Sequence, residues 1–161
     1  MSKAQTISTT ASDPTVAAAA AQFLSPVVLG LQALTVNGKQ AHWHVRGANF
    51  IGVHELLDTV VAHAGDFADT AAERIVALGL PIDARLSTVA DKVAASSVPA
   101  GFTQSTELIR NIVADIDAIL VDTKAAIDGL DEIDLTSQDV AIEIMRGLEK
   151  DRWFLVAHVA E

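Results

Sequence analysis

Cysteine is absent from all 161 residues. Disulfides and thiolate metal sites are therefore excluded, and any metal must rest on imidazole and carboxylate. The absence says little about compartment. Glycine and proline are scarce too, with nine and four residues. Half of the chain is apolar, with alanine and valine prominent, so this scarcity favours an all-α domain over a sheet protein. Positive charge is the third shortage. Eleven bases stand against 21 acids, a formal net charge of −10. Such a surface repels nucleic acid and attracts cations.

A clean membrane-spanning run is also lacking. The most apolar stretch, Val16 to Val36, contains Gln22, Ser25, Pro26, Gly30 and Gln32 and has no basic flanks. It reads as a buried helix rather than a span. Lys3 is the only positive charge ahead of it, and no signal-peptide pattern follows. The expectation is a cytoplasmic protein with no membrane partner. Its length suits one domain with a single core. Residues 1–12, rich in Ser, Thr and Ala, read as a flexible tail, and 13–161 as the domain.

What the chain does have is histidine, concentrated in one place. Four of its five histidines (His42, His44, His54 and His63) lie between His42 and Glu73. Five carboxylates share that stretch: Glu55, Asp58, Asp66, Asp69 and Glu73. No lysine lies among them, and Arg46 is the only base.

Punctuation along the chain predicts four long helices. Asp13-Pro14 and Ser25-Pro26 each resemble an N-cap followed by proline at the first helical position. The main start is placed at Ser25, after a shorter lead-in helix from Pro14 to Leu24, with the helix reaching about Val45. A break at 46–49 leads to a second helix, capped by Asn49 and ended near Leu78 by Gly79-Leu80-Pro81. The long connection from Ile82 to Phe102 carries a short helix over Ser87–Ala95. A third helix runs from about Thr103 to Asp128, stopped by Gly129. The fourth, capped near Thr136 or Ser137, runs almost to Glu161. Four helices with one long crossover between the second and third describe a ferritin-like bundle rather than a simple up-and-down one.

On the second helix His54 and Asp58 are four apart, share a face and can chelate one ion. Asp69 and Glu73 repeat that spacing. Fifteen residues of helix separate His54 from Asp69, roughly 22 Å, so one metal cannot touch both pairs of the same helix. The pairs can meet if a second copy of the helix lies antiparallel across a two-fold axis, which yields two equivalent sites per dimer. His42, ending the first helix, can reach the same site from beside His54. His44 and His63 fit this spacing poorly and remain outer-sphere or pore candidates. Trp43 is by type a core residue, although beside His42 it can donate an electron.

The run KQAHWHVRGANFIGVHELLD, followed by DTAAER, resembles the signature of the Dps family (DNA-binding protein from starved cells), the small dodecameric ferritins. The likeness is dense over the first two helices, and the helix layout agrees over the rest. It implies that the ferroxidase ligands are His42, His54, Asp58, Asp69 and Glu73, at a dimer two-fold. It further implies oxidation of Fe(II), preferentially by hydrogen peroxide with oxygen as the alternative oxidant, and storage of Fe(III) in a hollow shell of twelve copies. The residue types suit iron, because imidazole and carboxylate disfavour the soft-ligand metals.

Between Asn111 and Glu143 nine acids accompany a single lysine, Lys124. Most belong to a solvated face. Asp139 and Glu143 are again four apart, and the resemblance places them, with Asp134 more weakly, at three-fold pores that draw iron inward. Direct DNA binding is not expected, since the charge is strongly negative and Lys3 alone marks the N-terminal tail. Two other classes are a hydrolase that activates water on the shared metals and a structural nucleoid protein. The sequence has no Gly-x-Ser-x-Gly elbow to serve the first, and its charge disfavours the second.

Overall fold

Asp13 opens the bundle. Its carboxylate accepts the Thr15 backbone N–H at 2.7 Å, and Pro14 occupies the first helical position. These backbone and side-chain bonds to Thr15 hold the Asp13 carboxyl below its ordinary range. The computed structural model describes residues 13–160, and the expected tail over 1–12 lies outside the described residues. Five helices carry the fold: α1 (Pro14–His44), α2 (Phe50–Ala77), α3 (Leu86–Lys92), α4 (Ser105–Leu130) and α5 (Leu135–Ala157). Two-residue strands β1 (Val45–Arg46) and β2 (Thr103–Gln104) pair in parallel. The all-α, ferritin-like expectation holds, including the short helix inside the long crossover.

α1 is one helix where the sequence suggested two. Pro26 sits inside it, and Ser25 donates its hydroxyl back to the Ala21 carbonyl at 2.5 Å instead of capping a new start. A proline in a helix interior removes a single hydrogen bond, to the residue four back. Leu24, Val27, Val28, Leu31 and Leu34 are buried on either side of it, so packing carries the helix through. α1 is long and apolar enough, by length and composition, to cross a membrane. Here its apolar side forms part of the bundle core, as the sequence reading held.

α2 ends as expected on Gly79, whose φ of +94° makes it a left-handed cap. The Gly79 N–H donates to Val76 and the Leu80 N–H to Ile75, which closes the last turn. Asn49 does precede α2, but through a left-handed backbone (φ 59°) and with no side-chain capping bond. Two other boundaries move. α4 begins at Ser105 because Thr103 and Gln104 are drawn into the strand pair, and it continues through Gly129 to Leu130. Gly129 is a packing residue rather than a stop: a Cβ there would lie 2.3 Å from the Phe23 ring. α5 is capped by Asp134, not by Thr136 or Ser137. The Asp134 carboxylate accepts from the Thr136 N–H at 3.3 Å and from the Ser137 hydroxyl at 2.5 Å.

α1 packs on α2 and α4, and α5 closes the square against α4 and α2. Leu24, Leu31, Leu57, Ile75, Ile112 and Ile144, each at most 1% exposed, fill the centre. The α1–α2 turn lies beside the start of α4. There the β1–β2 pair, a Ser105 hydroxyl bond to the Ala48 carbonyl (3.0 Å) and the Arg46 guanidinium 3.4 Å above the Phe102 ring hold it in place.

Candidate metal centre

At that turn the end of α1 meets the first turns of α2. His42 is 8% exposed and His54 half-buried, and their rings stack with centroids 3.7 Å apart and planes 21° from parallel. The contact is reciprocal: His42 Nδ1 lies 2.8 Å from the His54 carbonyl, and His54 Nδ1 lies 2.9 Å from the His42 carbonyl. His42 is in the last turn of α1, where carbonyls lack helical partners, so the bond from His54 satisfies one of them. A carbonyl only accepts, so each Nδ1 carries a proton, and the neutral form of each ring has its lone pair on Nε2. Both rings are thereby fixed in orientation and in the tautomer a metal ligand needs. Phe50, 5.2 Å from His54, extends the stack.

Asp58 adds the carboxylate. It is exposed, one helical turn beyond His54, and 3.9 Å from His42 Nδ1. That distance is too long for a hydrogen bond. Its direct partner is Lys39, whose ammonium binds one carboxylate oxygen. The Lys39 hydrogen bond, helped by the charge of Lys39 and outweighing desolvation, holds the Asp58 carboxyl below its ordinary range. The sequence reading missed Lys39 by starting its stretch at His42. Lys39 is one helical turn before His42, so the 3.6-residue period places it on the same side.

Asp69 and Glu73 sit on the same uninterrupted α2, exposed and more than four turns from His54. The fold does not bring them to His42, His54 and Asp58 of their own chain. Among the described residues no three of His, Asp, Glu or Cys in one chain converge as a metal cluster. What one chain presents is two separate groups of donors. Two imidazole nitrogens and a carboxylate stand at one end of α2, and two bare carboxylates stand further along it.

The remaining candidates separate on inspection. His44 Nδ1 faces the Gln40 carbonyl at 2.8 Å, and its ring leans on Phe102. His63 faces α5, with Nδ1 3.0 Å from both oxygens of Asp151, a residue 1% exposed. Nothing in the sequence spacing pointed to Asp151. Trp43 is not in the core: it is 64% exposed, beside His42. Asp134 is engaged as the α5 cap and in an ion pair with Arg74 at 2.8 Å. Burial raises its pKa, but the bonds from Ser137 and Arg74 outweigh it and leave the carboxyl below the ordinary range. Asp139 and Glu143 are exposed on the first turns of α5.

A ferritin-like domain model matches residues 30–161. The DNA protection during starvation protein of Agrobacterium fabrum is 36% identical over 124 residues, 76% of each chain. That of Mycolicibacterium smegmatis is 37% identical over 123 residues, 75% of this chain and 66% of its own. The solved structure of Dps from Microbacterium arborescens in the high iron form is 73% identical, with a TM-score of 0.93 over 96% of this chain and 100% of the other. With a ferritin-like match over most of its length and relatives of this name and likeness, the chain belongs to the Dps family of ferritin-like proteins.

Proposed function

We propose that this protein is a ferroxidase and iron store that protects DNA by removing Fe(II) and its oxidant. The observation that carries the reading is the reciprocal His42–His54 lock, which leaves two Nε2 lone pairs on neighbouring elements beside the Asp58 carboxylate. This donor set of borderline nitrogen and hard oxygen fits iron as substrate. The names and bound state of the relatives point the same way: one is called a DNA protection protein, and another was solved in a high iron form.

The active unit is a pair of chains. His42, His54 and Asp58 of one copy face Asp69 and Glu73 of its mate across a two-fold axis, and six such pairs close a hollow dodecamer. Hydrogen peroxide accepts one electron from each of two Fe(II) ions and, with two protons, becomes two waters. Paired electron transfer of this kind releases no hydroxyl radical. Trp43, exposed beside His42, supplies an electron when a second Fe(II) is late. Asp139 and Glu143 line the entry pores, with Asp134 behind them as a cap. Direct contact with DNA is opposed by the net charge of −10.

The shared site makes a sharp prediction. One set of chains carries His42→Ala with His54→Ala, and a second carries Asp69→Ala with Glu73→Ala. Each set alone should oxidise Fe(II) with peroxide at background rate. Unfolded together and reassembled, half of the dimers are mixed and each mixed dimer regains one of its two sites. About a quarter of the native rate should return. A mixture as inactive as its components would show that the two half-sites do not meet.

A further inference from the structure

His63 stands apart from the histidines of the candidate centre. It lies on α2 and faces α5, where its Nδ1 is 3.0 Å from both oxygens of Asp151. Among the described residues Asp151 is the one acid that is buried, at 1% exposure. An ionised carboxylate only accepts, so Nδ1 carries a proton and the neutral ring has its lone pair on Nε2. Among the described residues no group bonds that second nitrogen. The ring is also open to solvent: 41% of the His63 side chain is exposed, against 10% for His42.

A carboxylate behind an imidazole makes the far nitrogen more basic. It also stabilises the imidazolium that forms when that nitrogen takes an electrophile. His42, His44 and His54 have a neutral carbonyl in that place. The chain has no cysteine, so no thiolate competes for soft electrophiles. Its net charge of −10 repels anions, which favours a neutral electrophile over a phosphoryl donor. An apolar one finds an apolar neighbour, for the Phe67 ring lies 6.1 Å from that of His63.

We propose that His63 is a nucleophilic site that captures small α,β-unsaturated aldehydes as covalent adducts on Nε2. The Nε2 lone pair adds to the β-carbon, and the C=C electron pair moves onto the carbonyl oxygen as an enolate. A proton from solvent then closes the α-carbon. One C–N bond forms, one π bond is lost, no group leaves, and no external oxidant or reductant takes part. The ring remains an imidazolium, its Nδ1 proton still held by the Asp151 carboxylate. Asp151 touches the ring and not the aldehyde, so it is a positioning residue. The reaction is separate from the iron chemistry.

The assembled full-length protein is treated with crotonaldehyde at about pH 8, above the ordinary imidazole range, and the adducts are fixed with borohydride and mapped by peptide mass spectrometry. His63 should be the first histidine labelled, about tenfold faster than free N-acetylhistidine amide. Asp151→Asn should slow labelling of His63 about tenfold and leave exposed His158 unchanged. His63→Gln should remove the fast adduct, with peroxide-driven iron oxidation nearly native. Labelling of the native protein alone decides the matter if Asp151→Asn fails to assemble. The proposal is overturned if His63 in the assembled protein stays unlabelled, if it reacts no faster than the free amide, or if Asp151→Asn leaves its rate unaffected.

Discussion

His54 and His63 lie nine residues apart on one helix, two and a half turns, and therefore on opposite sides of it. Each is held by its Nδ1, but the holders differ. A neutral carbonyl of α1 holds His54, while the carboxylate of Asp151, 1% exposed on α5, holds His63. The first arrangement fixes a ring without adding charge and leaves its other nitrogen outside that bond. The second joins two helices and ties a charge-bearing group into the bundle. The same residue type thus stands as a proposed ligand in one place and as a brace in the other, and its partner separates the two.

Removing the rings tests the contrast most strongly. His54→Ala should reduce peroxide-driven Fe(II) oxidation at least tenfold to about a hundredfold, since loss of even an outer-sphere partner of a ligand costs that much. His63→Ala should leave the initial rate per folded particle nearly native in a stopped-flow assay. An equal loss of rate from both variants would erase the distinction.

Stability should respond in the reverse order. His63→Ala strands the buried Asp151 carboxylate and should cost about 1–3 kcal/mol in denaturant unfolding. Asp151→Asn, which keeps the shape and removes the charge, should cost less.

The pH dependence sharpens the same pair. Burial, which outweighs the His63 bond, keeps the Asp151 pKa above 3.8. Its contribution to stability is therefore complete below pH 3.8 and is lost as pH rises through the raised value. Relative to the native protein, Asp151→Asn should gain Tm across that window. Asp134 runs oppositely: its pKa is lowered, so its contribution stands above 3.8 and drains away as pH falls. Asp134→Ala should lose its deficit in acid, where a parallel Tm series would reveal it.

The smallest effect belongs to Lys39. Its pair with Asp58 is solvent-exposed, with side chains 36% and 51% accessible, and such pairs contribute at most about 1 kcal/mol. Lys39→Ala should tighten anaerobic Fe(II) binding by about twofold to fivefold, because iron no longer displaces an ammonium. Weaker binding in that titration would mean that Lys39 assists the site.

Much of this was legible in the chain itself, and the reasons are local. Helical periodicity set His54 beside Asp58 and Asp69 beside Glu73, and rise per residue forbade their union within one chain. Gly79 marked the end of α2 because only a left-handed residue closes that turn without strain. Where the local signals misled, packing had outweighed them. Pro26 looked like a helix start, yet buried leucines and valines on both sides kept α1 whole. Gly129 looked like a stop, yet the Phe23 ring needs its empty Cβ position.

The sequence by itself determined the all-α class, the sign of the surface, the exclusion of thiolate chemistry and the donor types of the candidate centre. These depend on composition and on spacing within one helix. Only the tertiary structure decided that His42 and His54 lock each other, that Lys39 guards Asp58, that Asp151 claims His63 and that Asp134 caps α5. Each of those is a contact between elements distant in sequence or a choice among rival partners. Spacing along a chain carries no record of which partner the folded packing will favour.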